Sequence, residues 1–298
     1  MMNHTLQQMP PKQSSSHIIG VVSDQFTHPA SLKLLNELTR QLDKRGFITL
    51  LLNVDSPENY SSLLVNAGRL QIDGLVFLAT VCSEELNLAA AQLPSVPAVY
   101  LCRSENADAQ VVSADDYYAG AEIGRLLVGQ GFQRFGYMKG RDDSSHQRRM
   151  EGYAASLASA NIIVDQLLVA GSNDRELAYQ AMMRYLKQAR ASERINALFC
   201  ENDLLAFGAM QAVRDFGQGA HIAVVGFDDV DEARSSTWHL TSWAQRQDLQ
   251  ITEALNRLLD NRADRSGAWQ QGELQIRHSH LGKTVQGEMS KCGCASRH

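Results

Sequence analysis

Short runs of apolar residues alternate, in the first half of the chain, with longer segments in which leucines recur at helical spacing. The runs are rich in β-branched and aliphatic side chains, which is typical of strands buried on both faces of a parallel sheet. They cover residues 18–22, 48–52, 74–78 and 96–101. The first helical segment has one apolar face, formed by Leu32, Leu35, Leu38 and Leu42. Ser56 and Pro57 are placed to begin a second helix, as its N-cap and its first residue.

The same alternation returns in the second half of the chain. Strands are predicted at residues 135–138 and 167–171, and helices at about 147–159 and from Asn173 or Asp174 to about 190. A strand, a helix and a strand then fill the stretch 195–229, followed by an amphipathic helix within 242–260 and an alternating strand at 273–281. Strands that alternate with helices form right-handed parallel units. Two such series predict an α/β protein with two doubly wound parallel sheets.

Acidic and amide side chains follow two of the predicted strands in the second half. Glu201, Asn202 and Asp203 come after one strand, and Asp228 and Asp229 come after the next. Ligands of open parallel sheets bind in the crevice outside the carboxyl ends of the strands. We therefore expect Asn202, Asp203 and Asp228 to lie side by side at one crevice.

The bulk composition limits the class of protein. A chain of 298 residues with 44% apolar and 20% charged residues is expected to form two domains of roughly 150 residues each. No apolar run reaches the ~18 residues of a membrane helix, and the N-terminus has no apolar signal-peptide core. The expected location is the cytoplasm. The net charge of −5 argues against this chain alone gripping a nucleic-acid backbone.

The five cysteines do not predict a metal or disulfide framework. Cys82, Cys102 and Cys200 lie in or beside apolar runs and are interpreted as small buried hydrophobic residues. Cys292 and Cys294 form a Cys-Gly-Cys segment in a polar tail, where a metal or redox role is the alternative to incidental thiols. Their spacing matches no strong zinc pattern, so no metal and no cofactor is expected.

No catalytic motif is present. The chain has no dinucleotide-binding glycine fingerprint, no phosphate-binding P-loop, no nucleophile elbow and no His-Glu-x-x-His segment. Pairs of aspartates at strand or helix ends are usually caps or solvated loops. Arg149, Asn202 and Asp228 instead suit a polyhydroxylated ligand, because a carboxylate accepts hydroxyl protons, a guanidinium donates in a fork and an amide does both. We therefore expect a binding protein and not an enzyme.

Eight segments in order give the chain a family resemblance. They are IIGVVSDQFTHP, DGLVFL, VPAVYLCR, SADDYYAGAEIGRLLVGQGFQRFGYMKG, HQRRMEGYAASL, NALFCENDLLAFGAM, IAVVGFDD and HLTSWAQ. The chain resembles the effector-binding core of the lactose/galactose repressor (LacI/GalR) family of bacterial transcription regulators over about residues 18–285. The resemblance implies a periplasmic-binding-protein-like fold, with a small effector held between two subdomains.

The resemblance also implies boundaries. Three crossovers are expected, near Phe132, Ser242 and Gly272. They divide the chain into an N-terminal tail, a first subdomain, a second subdomain and a C-terminal tail. The ranges are 1–17 for the first tail, 18–131 with 243–271 for the N-terminal subdomain, 132–242 with 272–285 for the C-terminal subdomain, and 286–298 for the last tail.

The effector contacts implied by the resemblance come from both subdomains. Arg149 matches the arginine that holds the effector in the family. The expected site consists of Arg149, Asp228, Asn202, Asp203, Asp24, Phe26, Arg103, Asp115, Asp143, Ser145 and His146. Alternatives stay open for several of them. Asp203 is equally suited to cap a helix, Arg103 to pair with Asp115, Phe26 to join the core, and the residues before Arg149 to form an exposed polar loop.

The implied function is that of a regulator, expected to be a repressor, that senses a sugar, a sugar phosphate, or a nucleoside or purine. A homodimer is expected, because palindromic operators match two-fold proteins. The family's helix-turn-helix headpiece is not found in the seventeen residues before the first strand, so DNA contact is expected only through a headpiece. The segment around Asn173 lacks the aromatic residue that many members place there. A solute-binding receptor and a sugar isomerase or hydrolase are the alternatives.

Overall fold

Two parallel-dominated sheets, each with helices on both faces, make up the computed structural model. It describes residues 15–23, 26–54, 57–81, 96–103, 110–141, 148–217 and 220–282. The helices within these ranges are α1 (Pro29–Lys44), α2 (Pro57–Arg69), α3 (Asp116–Gly129), α4 (Arg148–Ser159), α5 (Arg175–Gln188), α6 (Asp203–Phe216) and α7 (Gln247–Asp260). The predicted α/β class is confirmed, because both sheets and the helical layers are present.

The first sheet has the strand order β2-β1-β3-β4-β5, with every pair parallel. Alternate residues of a strand face opposite sides. Ile19 and Val21 therefore pack towards α1 and α7, and Val22 packs on the other side with Ala67 of α2. The strands are β1 (Ile18–Ser23), β2 (Ile48–Asn53), β3 (Gly74–Val81), β4 (Ala98–Arg103) and β5 (Val111–Val112).

The second sheet has the strand order β11-β10-β9-β8-β6-β7, and only the β10–β11 pair is antiparallel. Phe135 and Phe199 face α3 and α4, whereas Met138 and Leu198 face α5 and α6. The strands are β6 (Phe135–Lys139), β7 (Val164–Val169), β8 (Ala197–Cys200), β9 (Ala223–Phe227), β10 (Thr241–Gln245) and β11 (Gly272–Gln275). Cys200 is buried here as expected, and burial raises the pKa of its thiol.

Two predicted strands differ from the observed ones, and two observed strands, β5 and β10, were not predicted. The strand expected at 167–171 begins earlier, as β7 at Val164. The strand β10 was not predicted, because its polar letters were assigned to the start of the following helix. The long strand expected at 273–281 is the short β11 followed by a 3-10 helix, Ser279–Leu281. In each case pairing with a neighbouring strand decided the bounds.

We call the first sheet with its helices the first layer, and the second sheet with its helices the second layer. The chain passes from the first layer to the second earlier than expected. Helix α3 packs against α4, and its Ile123 lies in one core with Phe135 and Tyr153. The close approach requires glycine: a methyl group on Gly120 or Gly152 would overlap a backbone carbonyl of the facing helix. The first crossover therefore lies between β5 and α3, and not near Phe132.

The second crossover is also shifted. β10 pairs with β9 from Thr241 to Trp243 and with β11 from Ser242 to Gln245, so the chain leaves the second sheet after Gln245 and not at Ser242. Helix α7 then packs into the core of the first sheet through Ile251 and Leu255. The chain is back in the second sheet at β11, which begins at Gly272. Among the described helices, none combines the length and the apolar character that a membrane crossing needs.

Candidate functional site

A cavity of about 140 Å³ lies between the two sheets, at the carboxyl ends of their parallel strands. Both layers contribute side chains to it. The first layer supplies the start of α1, the ends of β3 to β5 and the start of α7, and the second supplies α3, α4 and the loops after β7 to β10. The lining residues are His28, Ala30, Ser31, Leu34, Leu78, Leu101, Val112, Ser113, Ala114, Asp116, Arg149, Asn173, Asn202, Asp228, Gln245, Gln247 and Gln250.

Arg149 lies at the centre of the second-layer wall. It is the second residue of α4 and only 3% exposed. One terminal nitrogen donates to a carboxylate oxygen of Asp116 at 2.8 Å, and the other donates to the backbone carbonyl of Glu201. The guanidinium lies over the ring of Phe227, 3.1 Å from its centroid. Its Nε has no hydrogen-bond partner among the described residues, so this buried donor is left for a ligand.

Asp228 follows β9 on a strained turn. Its φ of 99° lies in a region that few residues other than glycine adopt, although aspartate and asparagine are enriched at positive φ. The backbone N–H donates to the carbonyl of Trp243 at 2.9 Å, which holds the turn against β10. One carboxylate oxygen accepts from the side-chain amide of Gln245 at 3.0 Å. The turn thereby places a carboxylate at the cavity.

Asn202 combines a structural and a lining position. It is the N-cap of α6, and its side-chain oxygen accepts from the backbone N–H of Leu205 at 3.0 Å. Its amide nitrogen donates to Asn173 at 2.9 Å. The structure thus brings Arg149, Asn202 and Asp228 together, since all three line one cavity. Their contact with an effector stays a prediction.

Asp203 is not a lining residue, and it is not the cap of α6 either. It is 1% exposed and accepts from the backbone N–H of Val230 at 2.8 Å and from the hydroxyl of Ser242 at 2.6 Å. Burial raises the pKa of its carboxyl well above the ordinary value, and the hydrogen bond from Ser242 opposes that rise. The side chain ties α6 to the loop after β9 and to β10. The expected position at the crevice is wrong, because the first turn of α6 directs this residue into the sheet.

Asp115 and Phe26 are likewise outside the cavity lining. Asp115 is the exposed N-cap of α3 and accepts from the backbone N–H of Tyr118 at 2.9 Å. Its neighbour Asp116 takes the place at the cavity and pairs with Arg149. Phe26 packs, half-buried, against the core of the first sheet, which is the alternative left open for it.

Five expected site residues lie wholly or partly outside the described part. Asp24, Asp143, Ser145 and His146 are not among the described residues. Arg103 ends β4, and its side chain is not described. Contact between these residues and an effector stays a prediction.

Residues that line the cavity but were not predicted from the sequence include His28, Gln245, Gln247 and Gln250. Gln245 ends β10, and Gln247 and Gln250 lie in the first turn of α7. A glutamine in a sequence does not by itself indicate a binding site. The feature that could have indicated one is position, because all three glutamines flank the second crossover. His28 caps α1, with Nδ1 accepting from the backbone N–H of Ala30 at 3.3 Å.

The other lining residues add few further functional groups to the cavity. Leu34, Leu78, Leu101 and Val112 form an apolar strip on the first-layer side. No phenylalanine, tyrosine or tryptophan is among the lining residues that the structure describes, in line with the missing aromatic residue near Asn173. Within the same described ranges, no group of three histidine, cysteine, aspartate or glutamate side chains is arranged to hold a metal ion.

Comparison with known proteins identifies related sequences and folds. Residues 16–250 match the family described as periplasmic binding proteins and sugar binding domain of LacI family. A repressor, PurR from Salmonella paratyphi B, is 27% identical over 256 residues, which cover 84% of this chain and 74% of that protein.

Solved structures give the same result for the fold. The transcription regulator GntR from Chromobacterium violaceum has a TM-score of 0.75 at 25% identity, with 88% of this chain and 99% of that one covered. A dimeric Lac repressor with an 11-residue C-terminal deletion has a TM-score of 0.79 at 21% identity, with 90% and 100% covered.

Proposed function

Because this chain belongs to the family of periplasmic binding proteins and LacI-type sugar-binding domains, we propose that its cavity binds a small polar effector and that effector binding controls the DNA binding of a repressor. The chain is the effector-binding domain of a LacI-family transcriptional regulator and not an enzyme. The observation that carries the proposal is the convergence of Arg149, Asn202 and Asp228 on one cavity between two layers.

The lining chemistry supports a polar, hydroxyl-bearing effector. The carboxylate of Asp228 accepts from hydroxyl groups, and the unsatisfied Nε of Arg149 donates to an oxygen. The apolar strip from Leu34 to Val112 suits the hydrophobic face of a ring. A sugar or sugar derivative fits this combination best, and the phosphorylated sugars, nucleosides and purines are the other classes to test.

A ligand held between two layers changes how they sit relative to each other. One contact across the cleft near the cavity is made by the ammonium group of Lys33 in α1, which donates to the backbone carbonyl of Asp229 at 3.1 Å. An effector that contacts both layers favours one relative orientation. In a homodimer this changes the spacing of the two DNA-binding headpieces, and the coupling is reciprocal. A differential affinity of about 1–3 kcal/mol gives a useful switch.

The test is effector binding by the wild type and by Asp228→Asn. Asparagine tolerates the positive φ at this position, removes the charge and keeps one of the two acceptor oxygens. A thermal-shift screen with sugars, sugar phosphates, nucleosides and purines identifies a ligand, since saturating ligand raises the stability by RT ln(1 + [L]/Kd). Calorimetry then measures its affinity. We expect Asp228→Asn to weaken binding about tenfold or more while the apo melting temperature stays near that of the wild type.

Asp231→Asn is the matched control, because Asp231 is exposed three residues further along and does not line the cavity. It should bind as the wild type does. Equal affinity of Asp228→Asn and the control would remove Asp228 from the site. Turnover of a bound sugar would contradict the assignment as a sensor.

A further inference from the structure

Gln247 presents an unsatisfied hydrogen-bond acceptor at the cavity. It is the first residue of α7 and lines the cavity from the first-layer side. Its side-chain oxygen is buried and has no donor among the described residues. Buried polar atoms without a partner are rare in folded proteins, because the group has lost its water without a replacement. A ligand in the cavity is the natural source of the missing donor.

The two neighbouring glutamines have hydrogen bonds to groups of the protein. Gln245 donates to the carboxylate of Asp228 at 3.0 Å, and Gln250 donates to the side-chain oxygen of Gln245 at 3.5 Å. These bonds orient the amides of Gln245 and Gln250 towards the second layer. The oxygen of Gln247 is the acceptor that they leave open on this wall.

The charge of the described lining disfavours an anionic ligand. It carries two carboxylates, Asp116 and Asp228, and one guanidinium, Arg149, which is already paired with Asp116. A phosphate group in this lining would meet a net negative charge, whereas a hydroxyl or an amino group would not.

The cavity, as the described residues line it, accommodates about one ring. Its volume of about 140 Å³ is close to that of a cavity of ~150 Å³ that holds one benzene molecule. A monosaccharide ring or a compact cyclic amine has this size. The apolar strip opposite the polar side chains leaves room for the less polar face of such a ring.

We propose that Gln247 determines effector specificity, its side-chain oxygen accepting a hydrogen bond from a hydroxyl or amino group of a neutral or amino-bearing single-ring effector. This inference rests on the proposed function, since it concerns the same cavity. Beyond the proposed function, the inference names Gln247 as the residue that requires a hydrogen-bond donor on the ligand. It also excludes phosphorylated ligands as the preferred class.

The experiment measures affinity by calorimetry for D-glucose, D-galactose and D-ribose, with their amino, single-deoxy and phosphate-ester counterparts. The variants are Gln247→Met, which keeps the volume and removes the acceptor, and Gln247→Glu, which keeps the acceptor. Gln188→Met, at the exposed end of α5, is the control. Thermal unfolding without ligand verifies that each variant is folded.

We expect Gln247→Met to lose about tenfold or more in affinity for a sugar that the wild type binds. That loss should disappear for the one deoxy counterpart that lacks the donating hydroxyl. Gln247→Glu should retain binding of the parent sugar and strengthen binding of the amino sugar, and Gln188→Met should match the wild type.

Two results would overturn the inference and leave the sensor function intact. One is an affinity of Gln247→Met within twofold of the wild type for the bound sugar. The other is tighter binding of a phosphate ester than of its parent sugar. If the wild type binds none of the sugars, amino sugars or phosphate esters, both this inference and the assignment of a sugar effector are refuted, and failure of the nucleosides and purines as well would refute the proposed function itself.

Discussion

Asp115 and Asp116 are adjacent in sequence, and the structure predicts very different costs for replacing them by alanine. Asp116 has a side chain 10% exposed and receives a terminal nitrogen of Arg149, itself 4% exposed, at 2.8 Å. Removing this carboxylate leaves a buried guanidinium without its counter-ion. Breaking a buried pair in this way costs about 3–5 kcal/mol. Asp115 only caps α3, and the loss of an exposed cap costs about 0.5–2 kcal/mol.

Arg149→Met extends the comparison to a double-mutant cycle with Asp116→Ala. The methionine removes the charge that Asp116 balances, and with it the contact over Phe227. Once the guanidinium is absent, Asp116→Ala no longer leaves a charge unpaired. The double variant should therefore lose less free energy of unfolding than the two single losses added together.

Urea unfolding, followed by tryptophan fluorescence and circular dichroism, measures these free energies. The expected order of loss is Asp116→Ala well above Asp115→Ala. A cost for Asp116→Ala no greater than that for Asp115→Ala would refute the buried ion pair as an anchor of Arg149. Strict additivity in the cycle would refute the direct coupling of Asp116 and Arg149.

Two further predictions concern packing and pH. The raised pKa of Asp203 means that this group contributes stability below its unfolded pKa of about 4 that is lost as the pH rises through its folded pKa. Asp203→Asn keeps one side-chain oxygen to accept from the N–H of Val230 and places an amide nitrogen beside Ser242. It should therefore gain free energy of unfolding relative to the wild type between about pH 4 and pH 7; parallel urea-unfolding profiles would contradict this. Gly152→Ala, whose methyl group would overlap the carbonyl of Tyr117, should cost about 1–3 kcal/mol or more. Gly129→Ala, with open space around the added methyl, should be neutral or slightly stabilising, and equal melting temperatures for the two variants would contradict the close packing of α3 and α4.

Local patterns were sufficient for most of the strands and for two of the three main site residues, Asn202 and Asp228, whereas Arg149 was expected from the family resemblance. A continuous apolar run such as IIGVV has apolar side chains on both faces of its strand, and a parallel sheet covered by helices buries both faces. The strand type and its burial therefore follow from the composition of the run. Because the carboxyl ends of parallel strands meet at one edge, residues that directly follow β8 and β9 were predicted to converge there. Asn202 and Asp228 do line one cavity, together with Arg149 from α4.

The sequence did not show which of two adjacent residues at the start of a helix caps the helix and which points into the protein. Of Asp115 and Asp116, one caps α3 in solvent and the other is buried against Arg149, since successive residues of a helix point about 100° apart. The same holds for Asn202, which caps α6, and Asp203, which turns into the sheet to bind Val230. From the sequence alone, either residue of each pair could have been assigned to the cap or to the buried position.

The crossovers and the positions of the cavity-lining glutamines depended on tertiary contacts. Helix α3 follows the first sheet in sequence but packs with α4, because glycines at 120 and 152 permit a close approach that no periodicity reveals. Gln247 and Gln250 reach the cavity because β10 stays in the second sheet as far as Gln245, paired with β9 and β11, before α7 returns to the first core. The amino-acid sequence by itself determined the layered α/β architecture and the strand ends that carry polar groups. Which side chains share the cavity was decided by packing between layers, since a long-range contact satisfies buried charges and amides that local sequence leaves without partners.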